Sequence, residues 1–468
     1  MGAPIGAHPL FISIWIINKL FKYHIMKKKF HLLSIIMLTM SIFTACDHDN
    51  SQEFPENGQS APYETSSDMQ VPMSVFLNNI PEEYAAFKEP LQSAMSMRES
   101  ALAQELGNPN INIGFRKTTY LYPSTDVNGK PITLSAAAFW LGYFDNGVWN
   151  DLKPENVCLM EHYTITSDAE APSNTFALEM FTTGNTLTIM PDYIGYGITK
   201  DLPHPYLNHD VCAINSIDAL TAGYELFNDK SGSGMSQGWK LYLAGASQGA
   251  ANAIAVHKYL DTHLELATKW NFESSNCSSG PYSPVATIDK YLTDGKVAYP
   301  VVFPLVMKTM FDSYPDIMEG FTEEMAYSQN YLNVKGEIDR MVAGKEHNTA
   351  AINQLFMDKV KKTVDASLAE NEIYLTDILS PAMLDKESPI CKAFYQCLEK
   401  NDLTKGWTPV HPMKLHYSPF DAVVPQENSL AILEAFGSDI VTLQESTLPV
   451  DHATTCSLWM VELFSNGF

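Results

Sequence analysis

The sequence predicts an α/β fold: a mostly parallel sheet flanked by helices, with a helical cap inserted between two late strands. Three observations carry this. Short apolar runs alternate with helix-length stretches; one strand passes into a helix through a five-residue, glycine-bounded turn around Ser247; and across residues 283–405 strand signals give way to Met, Glu, Lys and Leu at helical spacing.

The composition fits a folded domain. Of 468 residues, 45% are hydrophobic and 18% charged, enough apolar material for a large core. Lys and Arg number 30 against 54 Asp and Glu, a formal charge of −24. Such a surface repels phosphate backbones and anionic headgroups, so nucleic acid is not an expected partner.

Residues 1–25 contain an apolar run at 10–17 and read as a leader upstream of the true start, Met26. Lys27, Lys28 and Lys29 then precede an apolar stretch, 32–45, too short for a comfortable membrane span but suited to a signal-peptide core. It ends in Phe43-Thr44-Ala45-Cys46, which resembles a bacterial lipobox and implies lipidation of Cys46. The acidic segment 47–53 resembles the surface-export signal of Bacteroidetes lipoproteins. The expected organisation is a leader at 1–25, a lipoprotein signal peptide at 26–45, a flexible tether at 46–74, and a folded domain at 75–468 with its cap at about 283–405. The protein would then lie outside the cytoplasm, on the periplasmic or the outer surface, touching membrane only through its N-terminal lipid anchor.

In chain order, the runs at 134–141, 157–160 and 187–190 read as strands, and 216–227 as an amphipathic helix. A strand at 239–244, a tight turn at 245–249 and an alanine-rich helix at 250–259 follow without a gap. Helical spacing at 307–311, 338–342 and 351–364 fills the cap. Strand signals return at 413–417 and 440–443, with a helix at 429–436 between them. Of the seven cysteines, Cys391 and Cys397 are near enough in sequence to form a local bridge, whereas Cys158 reads as a buried thiol in a strand.

Gly245-Ala246-Ser247-Gln248-Gly249 places a serine between two glycines where strand turns sharply into helix. Small residues there let strand and helix approach, and the turn exposes the hydroxyl as a nucleophile. A serine hydroxyl needs a base, and imidazole titrates near neutrality. With the order serine, acid, histidine, the base falls after Ser247, in the loop beyond the last strand, where His452 lies. His411 precedes a strand and His416 sits inside one, so His416 reads as structural. Asp421, in Ser418-Pro419-Phe420-Asp421, follows the strand at 413–417 and is placed to orient the imidazole; capping the next turn is its alternative role. Asp451 adjoins His452 and is badly placed to bond its ring.

With these residues the chain resembles the α/β-hydrolase superfamily, and within it the secretory lipases and esterases, over most of 75–468. Further carriers are Pro191-Asp192-Tyr193-Ile194-Gly195-Tyr196-Gly197, His204-Pro205-Tyr206-Leu207 and Ser279-Gly280-Pro281-Tyr282. Asp192 reads as organising its turn, with Gly195 and Gly197 supplying unusual backbone angles. Glu161-His162-Tyr163-Thr164 falls where relatives carry a His-Gly-x oxyanion loop, although Tyr163 replaces the common glycine. The resemblance implies that the N–H groups of Gln248 and of Thr164 or Tyr163 stabilise the tetrahedral oxyanion, with His162 as a loop anchor. It implies hydrolysis of a small-molecule, lipid or glycan ester through an acyl-enzyme, without cofactor or metal. The cap falls where relatives carry a lid, so Met307, Met310, Phe311 and Phe321 are candidates to line an acyl pocket, with ordinary helical core as the alternative. A serine peptidase on the same fold and a binding lipoprotein with an inactive site are the competing readings.

Overall fold

The computed structural model describes residues 63–78, 85–176, 180, 185–363 and 365–468. The leader, the signal peptide, Cys46 and the first part of the tether lie outside the described residues.

A ten-stranded sheet runs through the domain. Its strands are β1 (Glu64–Pro72), β2 (Ile111–Thr125), β3 (Pro131–Asp145), β4 (Val148–Asp151), β5 (Asn156–Glu161), β6 (Thr186–Pro191), β7 (Leu241–Ala246), β8 (Phe272–Ser278), β11 (Met413–Tyr417) and β12 (Val441–Glu445). β9 (Lys296–Val297) and β10 (Ile373–Tyr374) form a separate pair in the cap. The sheet order is β1-β2-β3-β6-β5-β7-β8-β11-β12, with β4 beside β3. From β6 to β12 every pairing is parallel; β1, β2, β3 and β4 pair antiparallel, as does β3 with β6. The sequence reading captured the parallel part and not this antiparallel flank.

The central parallel strands β5, β6 and β7 are buried on both faces, which is why they read as unbroken apolar runs. On one face, helices His209–Lys230 and Gln248–Thr262 pack Leu220, Phe227, Ala251 and Ile254 against Leu159, Ile189 and Leu243. On the other, Trp459 and Leu463 of helix His452–Asn466 join Phe76, Phe115, Met160 and Ala244.

Three expectations are corrected. The tether does not extend to residue 74, because Glu64–Pro72 is strand β1, paired with β2 from Glu64↔Leu121 to Pro72↔Gly114. Its composition is polar because it is an edge strand whose exposed positions alternate with half-buried ones. Cys391 and Cys397 are free thiols on one helix, Pro389–Lys400. Six residues on a helix separate them by roughly 9 Å along the axis and turn them to different faces, so they do not bridge. His452 is not in a loop but is the first residue of helix His452–Asn466, with Asp451 as its N-cap accepting from Thr454 N–H at 2.9 Å.

The insertion between β8 and β11 is helical as expected. It carries its own core, in which Tyr331, Ile338, Ile352, Phe356 and Ile378 are fully buried.

Candidate active site

Three strand ends converge at the carboxyl edge of the sheet, where open α/β sheets build their sites. β7 ends at Ala246, and Ser247 stands between it and helix Gln248–Thr262 with φ 54° and ψ −122°. Ser247 N–H donates to Ser278 C=O at 2.9 Å, tying the turn to the end of β8. Both flanking glycines are sterically required. A β-carbon on Gly245 would stand 2.3 Å from Gly249 O, and one on Gly249 would stand 2.0 Å from Glu161 O.

Asp421 lies in the turn after β11. One carboxyl oxygen accepts the N–H groups of Val423 and Val424 at 2.9 and 2.8 Å, and the other lies 2.7 Å from His452 Nδ1. The turn-capping role and the imidazole contact therefore coexist in one side chain. The Ser418 hydroxyl donates to Val450 C=O at 2.7 Å, fastening this turn to the chain entering the last helix. That helix is seated on the sheet by Trp459 Nε1–H, which donates to Asn276 Oδ1 at 2.9 Å.

His452 Nε2 lies 2.9 Å from Ser247 Oγ. With Asp421 ionised, Nδ1–H donates to the carboxylate and Nε2 is left to accept the serine proton. Asp421 is buried, and the His452 ring is only slightly open to solvent. Burial works to lower the imidazole pKa. The charge and hydrogen bond of Asp421, assisted by the charge of Asp451, outweigh it and hold His452 above its ordinary value.

Thr164 and Ser247 lie on the wall of a cavity of about 70 Å³, whose remaining lining is mostly apolar and aromatic. Tyr206, Tyr291, Phe303, Phe394 and Val424 contribute, and the lining includes no charged side chain. Met307 and Met310 do not line it: both are fully buried in the cap's own core, and Phe311 and Phe321 pack against that core. In helix Val302–Ser313 it is Val302, Phe303 and Val306, nearer the helix N-terminus, that meet the cavity. Of the two expected oxyanion positions after β5, Thr164 reaches the cavity, whereas Tyr163 packs toward Ile165, Tyr193 and Tyr196. Gln248, the first helical residue, has no intrahelical acceptor for its N–H. His162 is stacked on Tyr193 with ring centroids 4.0 Å apart, bonds Tyr163 C=O through Nδ1 at 2.6 Å, and is held by burial to about 4, as suits an anchor. Asp192 accepts from Ser135 Oγ and Ser173 N–H, and Gly197 faces it at φ 57° with no room for a β-carbon.

Among the described residues, no group of three or more His, Cys, Asp or Glu is placed to hold a metal ion. Nor is any helix among them long and apolar enough to cross a membrane.

No family model and no curated protein matches the sequence. Solved structures do. The rice cell wall degrading esterase LipA from Xanthomonas oryzae matches with a TM-score of 0.56 at 20% identity, over 79% of this chain and 92% of that one. A proposed hydrolase from Legionella pneumophila matches with a TM-score of 0.59 at 16% identity, over 86% of this chain and 95% of that one. The fold is that of the α/β hydrolases. Within the α/β-hydrolase fold of this chain, the segment between β8 and β11 is the cap, and Ser247, Asp421 and His452 come from the ends of β7 and β11 and from the start of the last helix.

Proposed function

We propose that this chain is a serine hydrolase that cleaves carboxylic esters through an acyl-enzyme, with Ser247 as nucleophile, His452 as base and Asp421 as the group orienting and stabilising the imidazole. The observation that carries the reading is the unbroken hydrogen-bond chain Ser247–His452–Asp421 opening onto an apolar cavity. Solved α/β-hydrolase structures that include a cell-wall esterase agree with it at the level of fold.

His452 removes the Ser247 proton as Oγ attacks the ester carbonyl. The same proton passes to the departing alkoxide, leaving the acyl group on Ser247; water, deprotonated by His452, then releases the acid. The negative oxygen of each tetrahedral intermediate is held by the N–H of Gln248 and by Thr164. An uncharged, aromatic-rich wall suits an acyl chain and offers no counter-charge to a peptide terminus.

A series of p-nitrophenyl esters from acetate to palmitate, assayed beside aminoacyl arylamides, tests this. Ester turnover is expected to peak between butyrate and octanoate and to fall by about 10⁴-fold or more in Ser247→Ala. Arylamide cleavage without ester cleavage would establish a peptidase instead. Ester turnover unchanged in Ser247→Ala, or no turnover of either series, would overturn the proposal.

A further inference from the structure

The turn 204–207 stands out in the sequence, yet the chemistry above gives it no task. It is rigid. Tyr206 N–H bonds His204 C=O at 2.9 Å, Asn208 N–H bonds Pro205 C=O at 3.0 Å, and Leu207 takes φ 61°. The Asn208 side chain then caps helix His209–Lys230.

Each polar side chain of this turn reaches the side chain of a different residue proposed to hold the oxyanion. His204 Nδ1 lies 2.8 Å from Ile194 C=O, which fixes the ring proton there and leaves Nε2 to accept Gln248 Nε2–H at 2.7 Å. The ring lies parallel to Tyr193, with centroids 5.8 Å apart, and also packs on Tyr196. Burial, with the nearby Lys345 charge, holds this imidazole down to about 3, so it stays neutral and an acceptor. Two residues on, Tyr206 OH lies 2.9 Å from Thr164 Oγ1, and both residues face the cavity that contains Ser247. If the phenol donates, the threonine hydroxyl proton is free to point into the cavity.

We propose that the 204–207 turn aligns the oxyanion donors from both sides: His204 by holding Gln248, and Tyr206 by turning the Thr164 hydroxyl toward the developing charge as a donor additional to the backbone N–H groups. His204 and Tyr206 are then positioning residues, and Thr164 Oγ is the group that meets the oxyanion. This rests on the serine-hydrolase reading.

Tyr206→Phe deletes one oxygen and keeps the ring. It is expected to lower kcat for the best ester about tenfold with KM within about twofold, because the bond matters only when the carbonyl oxygen becomes charged. Thr164→Val should lose at least as much, and Thr164→Ser should recover most of it. Tyr206→Phe added to Thr164→Val should bring no further loss, since the two act as one unit. Affinity for a trifluoromethyl ketone analogue should fall in step with kcat/KM. An unchanged kcat in folded Tyr206→Phe, or losses that multiply in the double variant, would overturn the inference while parent turnover remained Ser247-dependent. Should Tyr206→Phe not fold, Thr164→Val and Thr164→Ser decide: equal losses sink the inference, recovery in serine alone sustains it. A parent without Ser247-dependent turnover removes the serine-hydrolase reading and this inference with it.

Discussion

Ser247 holds a backbone conformation that a residue with a β-carbon adopts at a cost of about 1–3 kcal/mol, and its surroundings over-determine it. Gly245 and Gly249 leave no alternative packing, and Ser278 anchors the amide. His452 is tuned by two carboxylates with separate tasks. Asp421 bonds the ring, while Asp451 caps the helix that the ring begins and acts on it through space. On the proposed mechanism the neutral ring is the working base, so activity should rise with pH as His452 loses its proton. Because its pKa is held above the ordinary imidazole value, that acid limb should lie on the alkaline side of an unperturbed histidine's. Asp451→Asn keeps a capping oxygen and removes a negative charge that favours imidazolium; the limb in kcat/KM should move to lower pH. A limb that stays put or moves upward would show that Asp451 does not act on the ring.

The elements are held in register by buried polar groups remote from the cavity. Asp261, at the far end of the helix Gln248–Thr262 that follows Ser247, accepts from His257 Nε2, His411 Nδ1 and the N–H groups of Val410 and His411, and His257 in turn meets Ser275 Oγ of β8. Burial alone would raise the Asp261 pKa; the hydrogen bond and charge of His257, with the backbone donors and His411, outweigh it and hold it far below the carboxylate range. Its contribution to stability is therefore complete above pH of about 4 and is lost as pH falls further. Asp261→Asn should cost about 3 kcal/mol, read as a lower urea midpoint, because the amide keeps one acceptor oxygen of the two, turns a donor toward the other set of donors and removes the charge. A midpoint within error of the parent would refute this. It also explains why His411, a competitor for the base in the sequence, lies elsewhere: its ring is committed to Asp261. The turn that presents Ser247 was legible because strand, turn and helix are contiguous. Asp421 and His452 could be ranked as its partners by their positions after strands, and both belong to the hydrogen-bond chain that ends on Ser247, but His452 at a helix start was not foreseen. Tyr291 and Tyr206 were not legible as cavity walls, since only tertiary packing chooses which face of a cap helix or loop meets Ser247.

On the scale of the whole molecule, the boundary drawn at residue 75 was misplaced for a physical reason. β1 is polar and is ordered by its partner: Asp68 receives Arg116 Nε and Nη2 at 2.8 and 2.6 Å, and the Thr118 hydroxyl at 3.0 Å. None of this is visible in a stretch rich in Ser and Asp with few aliphatics. A chain beginning at Val75 should melt at least a few degrees below one beginning at Tyr63, because it exposes the edge of β2 and takes from Arg116 its two-point carboxylate partner, leaving Asp151 at 3.6 Å and the Lys230 carbonyl at 3.1 Å. Equal melting temperatures would make β1 dispensable.

The cap has a core of its own, joined by Tyr206 and Leu207, and in chain order it leaves the sheet after β8 and rejoins it before β11. The chain is thus divided between a fixed reagent and an exchangeable selector. On the proposed ester hydrolysis, mutations that reshape Val302, Phe303 or Phe394 would alter which acyl group is admitted, while the strand ends that present Ser247 and Asp421 would keep their geometry. Substrate range in such a molecule can drift quickly without the chemistry being reinvented.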